Sequence, residues 1–229
     1  MKQQTLDLRL SAQQTLENFF GKTNQKIAQA ITSHIEQRKS TPIFIKAAEK
    51  LGKTHLLNAV MQQMKNSSNA AIYIACKDYL QMEPNVLDHL EQYDLILIDD
   101  IDAIARLTEW EQAFFHLFNR AIAKNRQLIF TARLPANLID LQLVDLKSRL
   151  QAALLYTLEA ISEVEKKELL VAKAQQRGLN ISAEVFNYLL ANHDRSLPGL
   201  IQSLERIDKA ALIAKRRITV PFVKKILSG

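Results

Sequence analysis

The stretch AAEKLGKTHLLNAV, residues 47–60, follows the apolar run PIFI and has the pattern of a loop that leads into a helix. Gly52, Lys53 and Thr54 form the second half of a phosphate-binding loop, placed between a strand and a helix as such a loop requires. In that setting backbone N–H groups and the helix N-terminus hold phosphates, Lys53 reaches the β- and γ-phosphates, and the Thr54 hydroxyl ligates Mg²⁺. Position 47, where the first glycine of the loop is expected, is Ala. The triplet alone leaves a chance helix start as the alternative.

A second motif favours a phosphate-binding loop over a chance helix start. The apolar run LILI precedes Asp99 and Asp100, which therefore stand at the carboxyl end of a predicted buried strand. A nucleotide hydrolase needs one carboxylate there for Mg²⁺ and a neighbour that polarises water. An acidic strand end facing solvent is the alternative for this motif alone. Together the two motifs predict a nucleotide site.

Strand and helix patterns alternate over the first two thirds of the chain. Predicted strands cover 42–45, 70–76, 94–100, 127–132 and 153–158, and predicted helices cover 24–38, 53–65, a short segment from Pro84, and 109–125. This order predicts an α/β fold in which helices flank a five-stranded parallel sheet.

From residue 161 the pattern is helical throughout. Ser162 and Glu165 form a capping box, and Gly178 ends the helix that it opens. Further helices are predicted from Ser182 to about 192, from 196 to 215, and from Thr219 onward. We therefore divide the chain into a polar tail (1–23), a nucleotide-binding α/β domain (24–160) and a small all-α lid domain (161–229).

Composition restricts the class of protein. A net charge of +6 and a pI near 9.4 favour acidic partners, although a mildly basic solvated surface is the simpler alternative. The single cysteine, Cys76, excludes an internal disulfide and a cysteine zinc site. The N-terminus has no apolar signal region, and no uninterrupted apolar segment approaches the ~18 residues of a membrane span, so we expect a cytoplasmic protein.

Four segments carry a family resemblance: GKTHLL, DLILIDDIDAIA, QAFFHLFNR and LKSRL. They resemble the AAA+ module of the replication initiator DnaA, and the resemblance runs from residue 15 to residue 227. DnaA carries an N-terminal interaction domain and a C-terminal helix-turn-helix domain around this module. A chain with neither is similar to the Hda family of DnaA-like regulators. That family binds the DNA-loaded sliding clamp and stimulates hydrolysis of DnaA-bound ATP, which inhibits re-initiation of replication.

The segment QQTLDL, residues 3–8, is similar to the clamp-binding peptide of that family. By this resemblance Gln3 places its amide in a small polar site, while Leu6 and Leu8 fill an apolar pocket on the β subunit of DNA polymerase III. Asp7 stands where the family usually has proline. A frayed polar tail is the alternative.

The segment DLKSRL aligns Arg149 with the arginine finger of the family. A guanidinium placed against the γ-phosphate of a neighbouring subunit offsets the charge that develops during hydrolysis. The alternative is a surface arginine paired with Asp145 one helical turn earlier.

The resemblance implies a full site and also shows departures from it. ADP or ATP with Mg²⁺ would be held by Gly52, Lys53, Thr54, His55 and Asp99, with Thr54 and Asp99 on the metal, and Asp100 and the trans-acting Arg149 would be catalytic. The loop glycines are replaced by Ala47 and Ala48, Ala132 stands in place of an acidic residue, and Pro198 stands in place of a sensor arginine. We therefore expect a pocket that binds nucleotide, preferably ADP, and hydrolyses ATP poorly.

Other functions stay open at this point. An active AAA+ ATPase of the helicase-loader or initiator kind shares the same module. A direct DNA binder would use the basic segment KRRITVPFVKK, residues 215–225, but no recognition helix follows it. The family resemblance gives DnaA and the clamp as partners, indirect contact with DNA, and allows a homodimer.

Overall fold

The computed structural model describes Leu16, Phe19 and residues 21–65, 70–214 and 217–227. Contacts within the chain divide it into two compact units, one ending at Glu159 and the other starting at Ala160. No helix in the described part of the chain has both the length and the apolar character needed to cross a membrane.

The first unit is built on a parallel five-stranded sheet, which confirms the predicted fold class. Its strands are β1 (Ile43–Lys46), β2 (Ala71–Ala75), β3 (Leu95–Asp99), β4 (Gln127–Ala132) and β5 (Leu154–Thr157). Their order across the sheet is β2-β3-β4-β1-β5, with every neighbouring pair parallel. The predicted bounds of β4 match the structure, and those of the other four strands differ by one residue at each end.

Among the described residues, five helices accompany the sheet: α1 (Lys22–Glu36), α2 (Lys53–Lys65), α3 (Cys76–Tyr79), α4 (Thr108–Ala123) and α5 (Val144–Gln151). The helix predicted from Pro84 is wrong, because only a 3₁₀ turn forms there, over Pro84–Leu87. Proline suits a first helical turn, but Asp88 is extended and His89 is left-handed at φ 65°, so the turn cannot continue.

The two faces of the sheet carry separate apolar cores, because side chains alternate along each strand. Leu95 and Leu97 pack with α1 and α2, whereas Ile96 and Ile98 pack with α4 and α5. Phe19, within the predicted tail, is 3% exposed and belongs to the first of these cores. Two residues beyond Leu97, the Asp99 side chain therefore projects on the face that α2 covers.

The second unit is entirely helical in its described part, as predicted for the lid. It contains α6 (Glu163–Gln176), α7 (Ala183–Asn192), α8 (Leu197–Ala214) and α9 (Val220–Leu227) around one apolar cluster. The capping box is present: Ser162 Oγ accepts from the Glu165 N–H, and the Glu165 carboxylate accepts from the Ser162 N–H. Ser182 stands at the N-cap of α7 but makes no capping hydrogen bond with its side chain.

Candidate functional site

The phosphate-binding loop, residues 47–52, connects β1 to α2. Ala47 is 1% exposed, and its N–H donates to the Ala132 carbonyl at 3.0 Å, which extends the β1–β4 ladder by one residue. The left-handed positions of the loop are Lys50 (φ 63°) and Gly52 (φ 94°), not Ala47 or Ala48. Replacement of the two glycines by alanine therefore puts no Cβ at a strained position. The strain falls on Lys50 instead, where a left-handed backbone costs about 1–2 kcal/mol.

Phe19 closes one side of this loop. A Cβ added at Gly52 would lie 3.1 Å from Phe19 Cε2, so the ring packs directly on the glycine. The same ring meets His55 edge to face, with centroids 5.5 Å apart. His55, predicted to bind nucleotide, thus has an aromatic neighbour beside the loop.

Lys53 is the first residue of α2, directly after the loop, and is 7% exposed. Its Nζ donates to the Ala47 carbonyl at 3.1 Å and to the Ala48 carbonyl at 3.4 Å, and lies 3.5 Å from Asp100 Oδ1. The buried ammonium is thus directed into the loop, where phosphate oxygens would compete for its protons.

Asp99 lies among several hydroxyl side chains of the site. Its carboxylate is 5% exposed and accepts three hydroxyl hydrogen bonds. Thr54 and Tyr73 donate to Oδ2 at 2.6 and 2.8 Å, and Thr131 donates to Oδ1 at 2.5 Å. Burial, together with the Asp99 charge, raises the pKa of Tyr73, so the phenol stays a proton donor at neutral pH.

The adjoining oxygens of Thr54 and Asp99 fit the chemistry of Mg²⁺. This ion takes oxygen ligands and is usually bound by one or two carboxylates together with substrate phosphates. No group of three or more His, Cys, Asp or Glu side chains placed to hold a metal occurs within the described ranges.

The second carboxylate, Asp100, is already paired with cations. Its backbone is left-handed (φ 54°), and its Oδ2 accepts from Lys77 Nζ at 2.7 Å. Oδ1 has no hydrogen-bond donor within the described structure, with Lys53 Nζ at an ion-pair distance. Burial by itself would raise the pKa of the Asp100 carboxyl, but the Lys77 hydrogen bond and the Lys53 charge hold it below its usual value. A carboxylate so compensated is a weak base toward water.

Arg149 lies in the last turn of α5, and its side chain is exposed. The guanidinium carbon is 5.9 Å from the centroid of the Phe118 ring. Within the described residues it forms no ion pair, so the alternative pairing with Asp145 does not occur.

The other predicted positions either have structural roles or lie outside the described residues. Ala132 is fully buried, and the next residue, Arg133, pairs with Asp102 at 2.7 Å. Pro198 stands in the first turn of α8, where the missing N–H is tolerated. The clamp-peptide residues fall outside the described residues: Gln3, Leu6 and Leu8.

Three residues of the site were missed from the sequence: Tyr73, Thr131 and Lys77. A hydroxyl inside a buried strand run was the available signal for the first two. Tyr73 pairs with Leu97 in the β2–β3 register, which puts its side chain on the same face as Asp99. Finding them required the strand order, which the sequence patterns do not give.

Comparison with known proteins gives two family matches, one for each unit. Residues 10–157 match the family described as the bacterial DnaA ATPase domain, and residues 163–227 match the Hda lid domain.

Solved structures share the fold. Domain III of the Thermotoga maritima replication initiation protein DnaA is 21% identical, with 95% of this chain and 96% of that chain covered and a TM-score of 0.79. AMPPCP-bound DnaA from Aquifex aeolicus is 26% identical, with 90% and 69% covered and a TM-score of 0.74. A replication initiator DnaA bound to AMPPCP and single-stranded DNA is 23% identical, with 91% and 70% covered and a TM-score of 0.77.

Proposed function

Since this chain belongs to the bacterial DnaA ATPase family, as a DnaA-like AAA+ protein of the Hda family, we propose that it is a regulatory adaptor of DNA replication. In this proposal it binds the DNA-loaded sliding clamp and stimulates hydrolysis of DnaA-bound ATP. The loss of DnaA–ATP then inhibits re-initiation. The observation that carries the proposal is the exposed Arg149, free of ion pairs among the described residues.

The surroundings of Arg149 suit an arginine finger that acts on another chain. Phe118 is 4% exposed, so its ring is fixed in the core, and the guanidinium rests near it. A cation–π contact of this kind leaves the guanidinium N–H donors available for a phosphate, which they can bind with two parallel hydrogen bonds. Such a group offsets charge on the transferring phosphoryl without belonging to the pocket formed by Lys53 and Asp99.

The protein's own pocket supports nucleotide binding in the same proposal. Lys53 would contact the phosphates of ADP or ATP, while Thr54 and Asp99 would hold Mg²⁺, which neutralises phosphate charge when bound. The ion pair between Asp100 and Lys77 leaves a poor base for water, which supports weak hydrolysis by this chain itself. Two of the similar DnaA structures are bound to AMPPCP.

The clamp would be engaged through the segment at residues 3–8, with Gln3, Leu6 and Leu8 as anchors. Clamp binding would bring the adaptor to DNA indirectly, in the cytoplasm, beside DnaA. Support for this step is the resemblance of the peptide to clamp-binding sequences together with the match to the Hda lid domain.

A reconstituted assay tests the proposal. DnaA–ATP is mixed with clamp loaded on DNA and with the parent protein, Arg149→Ala, Arg149→Lys or Lys147→Ala, and phosphate release is followed. We expect the parent to stimulate hydrolysis and Arg149→Ala to lose the stimulation, since arginine fingers contribute on the order of 10³–10⁵ in rate. Lysine should rescue poorly, because an ammonium cannot form the planar fork.

Lys147→Ala is the matched control, since it removes a cation from the same helix two residues earlier. Clamp binding and ADP binding are measured for each variant, to show that Arg149→Ala retains both. Equal stimulation by Arg149→Ala and the parent would refute the trans-acting mechanism.

A further inference from the structure

Three hydroxyls from three different elements enclose the Asp99 carboxylate. Thr54 belongs to α2, Tyr73 to β2 and Thr131 to β4, and all three donate to Asp99 at 2.8 Å or less. A carboxylate offers about four lone-pair sites, so three donors leave roughly one for any other ligand. The buried carboxylate is therefore nearly saturated by the protein itself.

The two donors to Oδ2 differ in freedom. Thr54 is exposed at the start of α2, and a hydroxyl of this kind rotates to suit its partner, so it can offer its oxygen to a cation. Tyr73 is 7% exposed and packed in the apolar cluster that includes Leu97, so its ring cannot withdraw from Asp99 without repacking. Of the two, the Tyr73 hydrogen bond is the one that remains when a cation approaches.

We infer that Tyr73 is a positioning residue that weakens the dependence of nucleotide binding on Mg²⁺, because its hydroxyl holds a lone pair of Asp99 that the ion or its bound water would use. This inference rests on the proposed nucleotide binding. A carboxylate that is already stabilised by hydrogen bonds gains less from a metal than one that lacks them. The parent protein should then bind ADP almost equally well with and without Mg²⁺.

Calorimetric titration of the full chain with ADP tests this, once with Mg²⁺ and once with EDTA. For the parent we expect the two dissociation constants to differ by less than about threefold, since the metal adds little to a satisfied carboxylate. Tyr73→Phe should increase the ratio of the dissociation constant in EDTA to that in Mg²⁺ by about tenfold, which is the factor by which a hydrogen bond to a charged acceptor commonly acts. The dissociation constant in EDTA should stay unchanged. Tyr156→Phe, a half-buried phenol on β5 of the same sheet, is the matched control and should keep the parent ratio.

A double-mutant cycle tests whether Tyr73 acts through the Asp99 carboxylate. In an Asp99→Asn background, Tyr73→Phe should leave the Mg²⁺ ratio unchanged, since no carboxylate remains to be released. A general loss of packing would move both dissociation constants together, whereas the inference requires a change in their ratio alone.

The outcomes distinguish a failure of the proposed nucleotide binding from a failure of the role inferred for Tyr73. If the parent binds no ADP in either buffer, the proposed nucleotide binding fails and this inference fails with it. If ADP binds and Tyr73→Phe keeps or lowers the ratio, only the role of Tyr73 is overturned. If the variant does not fold, the parent decides, because dissociation constants for ADP that differ by more than about threefold between Mg²⁺ and EDTA would contradict a saturated Asp99.

Discussion

Acid should weaken the α/β unit through one buried carboxylate, Glu91. Its side chain is 8% exposed and accepts from Nε of Arg120, on α4, at 3.1 Å and from Nζ of Lys124, the residue after α4, at 3.3 Å. Burial by itself would raise the pKa of this carboxyl, but a backbone N–H and the two cations lower it from 4.5 to about 2. The group therefore joins the turn that precedes β3 to α4 only while it is ionised.

The sign and size of the loss of stability in acid follow from the difference between the folded and unfolded pKa values of Glu91. Because the folded pKa lies below the unfolded one, the stabilisation is complete above pH 4.5 and is lost as the pH falls toward 2. A pKa difference of about 2.5 corresponds to at most about 3.4 kcal/mol. Arg120 and Lys124 are partly exposed to solvent, which reduces the expected contribution to about 2–3 kcal/mol at pH 7, with roughly half of it lost by pH 3.

Urea unfolding followed by Trp110 fluorescence measures this contribution. Trp110 is the only tryptophan, lies on α4 and is 7% exposed, so it reports the unit that contains Glu91. We expect Glu91→Gln to be less stable than the parent by about 2–3 kcal/mol at pH 7, with the difference shrinking as the pH falls. Glu83→Gln, at an exposed carboxylate nearby, is the control and should follow the parent at every pH. A Glu91→Gln difference that is absent at pH 7, or constant between pH 7 and pH 3, would refute the reasoning.

Three further predictions concern the loop, the water-activating carboxylate and the partner peptide. Gly52→Ala should destabilise the protein by about 2–3 kcal/mol in calorimetry, more than Gly178→Ala, because both positions have positive φ but only Gly52 also meets the Phe19 ring. Lys77→Met should raise intrinsic ATP hydrolysis several-fold, since it releases Asp100 from its ion pair; unchanged phosphate release would show that this pair does not limit turnover. Joint replacement by alanine in the 3–8 segment should abolish clamp binding and leave the melting temperature unchanged, and equal affinity in a surface-immobilised clamp assay would contradict the assignment. The residues replaced are Gln3, Leu6 and Leu8.

Much of the fold was predictable because it is encoded over short distances in the chain. The bounds of α2 and β4 match those expected from periodicity, and the capping box at Ser162 depends only on the residue three positions later. The segment after Pro84 was not predictable in this way. Its helix would have needed Asp88 and His89 to continue the turn, whereas Asp88 is extended and His89 is left-handed, between the buried Leu87 and Leu90.

The candidate site was predictable in part. Lys53, Thr54 and Asp99 were singled out because strand ends and helix starts carry recognisable residue types. In the structure Thr54 donates to Asp99, and the Lys53 ammonium lies 3.5 Å from a carboxylate oxygen of the next residue, Asp100. The conformation of the loop was not. Left-handed backbone falls at Lys50, where no sequence rule for glycine would place it, since the chain has to turn there between a ladder that reaches Ala47 and the first turn of α2.

The sequence by itself determined most of the strands and helices and singled out the residue types of a phosphate-binding motif, because periodicity, capping and motif spacing are local properties of the chain. Only the tertiary structure decided what surrounds those residues. The order β2-β3-β4-β1-β5 puts strands that are distant in sequence beside one another, so Tyr73 and Thr131 meet Asp99, and Lys77 meets Asp100. A short apolar run indicates that a strand is buried, but not which strand pairs with it. The side chains around the Asp99 carboxylate depend on that pairing.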